Sequence, residues 1–143
     1  MALTTAHEKK ATMPDTDAMR ALIQNYLEAM QTDDIETVAA LSVDDPYLEY
    51  PGGVSFTALE ELLKWSHGRH KFVRHQIERV EPVPAQPGKA TPVWVNGTLR
   101  GAFADGETYE GIRFAYRFEV VGGKVSQTVL WSDMSEYIRR HRS

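Results

Sequence analysis

Apolar positions along the chain recur first at helical and then at strand spacing. Met19, Leu22, Ile23, Tyr26, Leu27 and Met30 lie three or four residues apart, the spacing at which an α-helix brings side chains to one face. Residues 16–31 are therefore predicted to form a helix that buries this stripe, Tyr26 within it. Asp33 and Asp34 follow at once and can cap a second, shorter helix carrying Ile35, Val38 and Leu41. The stretch "DDPYLEYPGG", 44–53, then alternates: Leu48 and Tyr50 share one face of a strand, Tyr47 and Glu49 the other, and Pro-Gly-Gly ends it. With Leu48 as its same-face neighbour, Tyr50 is expected to point inward. Thr57 and Glu60 have the spacing of a capping box ahead of Leu59, Leu62, Leu63 and Trp65, with Gly68 as a stop signal, which predicts a third helix.

From Phe72 the pattern turns to strands. One runs to about Val80, and a proline-rich loop "EPVPAQPGKATP" separates it from "VWVNGTLRGAF", "TYEGIRFAYRFEVV" and "KVSQTVLWSDM". The joints "ADGE" (104–107) and "VGGK" (121–124) carry glycine where a hairpin turn needs positive φ, so the last three strands read as an antiparallel meander. Helices first and a long sheet after them make an α+β domain, whose sheet must bury one face against the helices. A strongly twisted sheet closing over a helix leaves a concave pocket. Ile112, Phe114, Tyr116 and Phe118 share one face of their strand, and Trp131 shares a face with Asp133 on the next, so these rows are expected to form core or pocket lining.

Composition narrows the function classes. With 143 residues, 42% hydrophobic and 25% charged, the chain reads as one soluble domain over 15–143 behind a loose segment, 1–14. The absence of cysteine excludes disulfide scaffolds, thiolate catalysis and Cys-ligated zinc. A net charge of −4 gives no general electrostatic basis for nucleic-acid or anionic-membrane partners, and the basic run "RRHRS" reads as a solvated tail. The N-terminus lacks the apolar core of a signal peptide and no stretch nears the roughly 18 apolar residues of a membrane span, so a cytoplasmic protein is expected. His67, His70 and His75 lack the spacing of a helical metal pair with an acid partner, and a surface reading is preferred for them. His75 can alternatively face the sheet interior with Val73 and Ile77, which makes it a second base candidate.

The run "LIQNYLEAMQTDDIETVAALSVDDPYLEYPGG", 22–53, and the ending "VLWSDMSEYI" resemble the corresponding parts of ketosteroid isomerases and the broader NTF2-like, SnoaL-like superfamily. The resemblance implies a cone-like, curved antiparallel sheet wrapped around three helices, an apolar cavity, no cofactor, a small hydrophobic ligand and a homodimer. It also implies roles. In the isomerases a tyrosine on the first helix donates to the steroid carbonyl as it becomes an enolate, with a protonated aspartate beside it. Tyr26 matches that tyrosine, whereas Phe114 stands at the aspartate. The general base, an aspartate before a proline at the end of the first strand, is Tyr50 here. A phenol, with a reference pKa near 10, is about a thousandth ionised at pH 7 and does not replace a carboxylate as a resting base.

The candidates then divide between two readings. In one the protein is an acid–base enzyme, an isomerase, cyclase or dehydratase of a steroid- or polyketide-like carbonyl compound. Tyr26 and Tyr50 hold the oxygen, Asp133 moves the proton as an acid from the last strand does in SnoaL-like cyclases, and Phe114, Tyr116, Trp131, Leu63 and His75 shape the pocket. In the other the cavity only binds a hydrophobic ligand, Tyr26 and Tyr50 are core tyrosines with satisfied hydroxyls, and Asp133 sits at the rim or caps. Glu49, turned to the opposite face by alternation, reads as a solvated strand residue. Asn96, Arg100 and Arg113 raise the epoxide-hydrolase variant of this fold, but no second aspartate pairs with Arg113 on its strand.

Overall fold

A computed structural model of the chain describes residues 15–142, so the loose segment expected over 1–14 lies outside the described residues. Helix α1 spans Thr16–Gln31, started by Asp15, whose carboxylate accepts from the Ala18 N–H, and it buries Ile23, Tyr26, Leu27, Ala29 and Met30. Helix α2, Ile35–Ala40, is capped by Asp34 through the Thr37 N–H. Strand β1 (Ser42–Tyr50) turns at Pro51–Gly53 into a short return strand β2 (Val54–Phe56), which the alternation pattern was too brief to announce. In β1 the Tyr47 hydroxyl donates to Glu49 Oε1 at 2.6 Å, both side chains on the face away from Leu48.

Helix α3, Leu59–Arg69, differs from its sequence signals at both ends. Ala58, with extended backbone and no capping side chain, precedes the first turn, so the Thr57–Glu60 box does not form. Gly68 lies inside the last turn, and the chain leaves the helix at His70 by extending into β3 (His70–Pro82). Strands β4 (Thr91–Phe103), β5 (Thr108–Val121) and β6 (Lys124–Ser132) follow as the expected meander. The sheet order is β2-β1-β6-β5-β4-β3. All neighbours are antiparallel except β1 and β6, which pair in parallel through Leu48 opposite Thr128. That pairing joins the two ends of the chain and is invisible to any local pattern.

The curved, unclosed sheet packs its inner face on the helices. Val93, Val95 and Leu99 of β4, Ile112, Phe114, Tyr116 and Phe118 of β5, and Thr128 and Leu130 of β6 face that core together with Ile23, Leu27 and Leu62. Helix α4, Met134–His141, replaces the expected tail: the basic run ends a helix, and Arg142 beyond it lies 4.0 Å over the Phe103 ring while pairing with Asp105 and Glu107. No helix of the described residues is long and apolar enough to cross a membrane.

Candidate functional site

Between α1, α3 and the inner sheet face lies a cavity of about 130 Å³. Its apolar lining includes Met30, Leu62, Leu63, Trp65, Leu99 and Leu130, and its polar lining includes Gln31, Tyr50, His70, His75 and Tyr116. The parity of two strands brings the polar groups together: β3 presents His75 inward opposite Leu99, and β5 presents Tyr116 inward opposite Leu130. The end of α1 adds Gln31, and the last residue of β1 adds Tyr50, whose ring meets Trp65 edge-on at 5.8 Å.

Gln31, His75 and Tyr116 form a connected chain. Gln31 Oε1 accepts from the His75 backbone N–H at 3.0 Å and lies 3.0 Å from His75 Nδ1. His75 Nε2 is 2.9 Å from the Tyr116 hydroxyl, and Tyr50 lines the same cavity. The His75 ring packs edge-on against Phe114 at 5.5 Å. Burial, with a smaller contribution from the Arg74 charge, lowers the His75 pKa to about 4, so the imidazole is neutral at pH 7. Burial also raises the Tyr116 phenol far above its ordinary value, the nearby Tyr50 hydroxyl opposing that rise. For Tyr50, burial and the neighbouring Tyr116 and Tyr26 phenols act upward. Neither phenol is a resting base.

The other expected site residues divide clearly. Leu63 lines the cavity, and Phe114 is buried behind His75 as its packing support. Tyr26 is fully buried, but its hydroxyl bonds Thr128 Oγ1 at 3.0 Å and its ring packs on Phe118; burial raises its pKa to about 12. Trp131 and Asp133 do not enter the cavity. In the β5–β6 register Leu130 faces Tyr116 while Trp131 faces Ala115, so the indole is 49% exposed on the outer face, stacked on Trp94 at 5.9 Å. Strand β6 stops at Ser132, and Asp133, instead of continuing the alternation, precedes α4 and accepts from Arg113 Nε at 2.5 Å. That pair is solvent-exposed, away from the tyrosines.

Of the three clustered histidines, His67 fits the surface reading, exposed and 2.9 Å from Asp33. His70 does not: it is half-buried at the cavity wall, with Nδ1 3.0 Å from the Tyr109 hydroxyl. Gln31 carried no signal in the sequence beyond its place at the end of α1, since the apolar stripe stops at Met30.

Neither a protein-family model nor a curated protein matches the sequence. Solved structures do match in shape. An NTF2-like protein of unknown function from Burkholderia pseudomallei superposes at TM-score 0.68 with 16% identity, covering 88% of this chain and 98% of its own. A proposed polyketide cyclase from Xanthomonas campestris pv. campestris superposes at 0.66 with 18% identity, covering 87% and 96%. A LEH-like epoxide hydrolase of M. tuberculosis superposes at 0.64 with 21% identity, covering 88% and 90%. At such identities the likeness speaks of shape and leaves chemistry open. With the element order and curved sheet described above, it establishes that this chain has the NTF2-like fold.

Proposed function

We propose that the protein carries out cofactor-free acid–base chemistry on a small hydrophobic oxygenated compound of polyketide or steroid type: an isomerisation, cyclisation or dehydration. The observation that carries this reading is the 2.9 Å contact between His75 Nε2 and the Tyr116 hydroxyl at the wall of the cavity. A neutral imidazole is a proton acceptor at pH 7, and a phenol bonded to it can pass a proton on without ionising first. In the step proposed, a substrate hydrogen moves to the Tyr116 oxygen as the Tyr116 proton moves to His75 Nε2. The substrate is left as an anion and His75 as imidazolium. Because burial disfavours the imidazolium, the step needs an already acidic hydrogen, such as one on an enol or next to a conjugated carbonyl. The base of this reading is His75, in place of the Asp133 expected from the sequence.

A second reading, binding without turnover, is favoured by the same lowered pKa and by Tyr50 and Phe114 standing where the isomerases carry acids. The two separate in one assay. A Δ5-3-ketosteroid and an aromatic β-diketone are offered to the wild type and to His75→Asn, following enone or enol absorbance for turnover and Trp65 quenching for binding. Turnover that His75→Asn abolishes while still quenching Trp65 is the expected result. Binding without turnover in both proteins would overturn the enzyme and leave the binding protein.

A further inference from the structure

Hydrogen-bond direction in the cavity is fixed by one atom. The His75 backbone N–H can only donate, so the Gln31 atom 3.0 Å from it is the carbonyl oxygen Oε1, and the amide cannot be assigned the other way round. The same oxygen lies 3.0 Å from His75 Nδ1. An oxygen there requires Nδ1 to carry the proton, which in a neutral imidazole leaves Nε2 with a lone pair alone. Nε2 is 2.9 Å from the Tyr116 hydroxyl, so that hydroxyl must donate to it. A phenol has one proton. With it directed at His75, the Tyr116 oxygen offers the cavity only lone pairs. The chain Tyr116 to His75 to Gln31 thus runs one way, and its open end accepts.

We infer that the ligand enters this cavity as a hydrogen-bond donor, an enol, phenol or alcohol O–H meeting the Tyr116 oxygen at the accepting end of the Tyr116–His75–Gln31 chain, and not as an isolated ketone held by the Tyr116 hydroxyl. This rests on the reading of the cavity as the ligand site and names the group that the ligand presents there. It differs from the polarity expected from the sequence, in which Tyr26 and Tyr50 donate to a carbonyl. It also makes Gln31 a positioning residue: its amide acts through the imidazole, selecting the tautomer and with it the direction of the bond to Tyr116. The low pKa of His75 agrees, since an imidazolium would donate from both nitrogens and turn the chain around.

The test uses three probes of one shape: 2-naphthol, which donates, and 2-methoxynaphthalene and 2-acetylnaphthalene, which only accept. Binding is measured by isothermal titration calorimetry at pH 7.5 to the full chain. The expected result is a preference of about tenfold or more for 2-naphthol over both acceptors, one hydrogen bond's worth. Tyr116→Phe keeps the ring and removes the relay, and the preference should collapse with circular dichroism unchanged. Gln31→Met frees the tautomer and should shift the preference toward 2-acetylnaphthalene, a change that a purely packing role of Gln31 would not produce. If all three probes bind the wild type equally, or if the naphthol preference survives in Tyr116→Phe, the inference is overturned and the cavity reading stands. If none of the three binds, the cavity is not the ligand site and both readings fall together.

Discussion

His70 and His75 both line the cavity, each is bonded to a tyrosine, and burial lowers the pKa of each to about 4. They differ in what holds the ring. His75 is gripped through both nitrogens, by Gln31 and Tyr116, and packed edge-on by Phe114. His70 bonds Tyr109 through Nδ1 and stacks on Phe103 at the start of β3. A titration constant therefore does not separate a working imidazole from a structural one. The second nitrogen's partner does, because it decides whether the first is an oriented acceptor.

Breaking the two pairs in parallel gives the largest contrast. His75→Asn should lower turnover of any substrate found in the panel by about 10²-fold or more, the usual contribution of a general base, while His70→Asn should stay within about threefold. Equal losses would mean that the second partner is immaterial.

Acid sharpens the same contrast. Both folded pKa values lie below the ordinary 6.5, so between pH 6.5 and 4 the unfolded chain binds protons that the folded chain does not. The folded state keeps its full margin above pH 6.5 and loses stability as the pH falls through that window. For His75 the shift corresponds to about 3 kcal/mol across the window, and for the less enclosed His70 to less, after solvent screening. Urea midpoints at pH 7 and pH 4.5 should draw together in His75→Asn more than in His70→Asn.

The two pairs also show what the sequence could and could not say. The stripe from Met19 to Met30 and the row from Ile112 to Phe118 are strictly periodic, and both elements formed as read. Tyr116 and His75 were visible as inward candidates because each has an apolar same-face neighbour. Their meeting was not, since it depends on the pairing of β4 with both β3 and β5, a matter of register. Trp131 and Asp133 failed for a related reason. Alternation places Asp133 beside Trp131 only if the strand continues past Ser132, where it ends, and the side on which Trp131 falls is set by its partner Ala115. A helix opening at Met134 carries its own signal in the charges along its axis, Glu136 in the first turn and Arg139 and Arg140 in the last.

Glycine on β4 supports each pair, and replacing it tests them separately. A Cβ at Gly97 would sit 1.9 Å from the Gln76 carbonyl oxygen and 3.1 Å from the Phe114 ring that braces His75. At Gly101 it would sit 2.3 Å from the Phe72 carbonyl oxygen and 2.6 Å from the Tyr109 hydroxyl. Gly97→Ala and Gly101→Ala should each cost about 1–3 kcal/mol by overpacking, read from chemical denaturation. Only Gly97→Ala should also weaken 2-naphthol binding, because only there does the displaced ring touch the imidazole that orients the chain.

The smallest effect is expected at the far side of His70. Helix α4 is tied down by Arg142, whose guanidinium covers Phe103 and pairs with Asp105 at 2.7 Å and Glu107 at 3.2 Å, and by Tyr137, which packs on Phe103 and Tyr109. The paired carboxylates are exposed, so salt screens their attraction and their contribution is slight. Arg142→Ala should speed amide exchange over Tyr137–Arg142, and added salt should move the wild type in the same direction. Through Phe103 and Tyr109 the loosening reaches His70. It should stop there, because His75 is held by Gln31 of α1 and by Tyr116 in the middle of β5, away from the Phe103–Tyr109 end of the β4–β5 hairpin. Exchange measured by mass spectrometry beside the 2-naphthol affinity decides it: exchange should rise with the affinity unchanged. A parallel fall in affinity would show that the two pairs move as one and that the difference in their anchoring has no functional meaning.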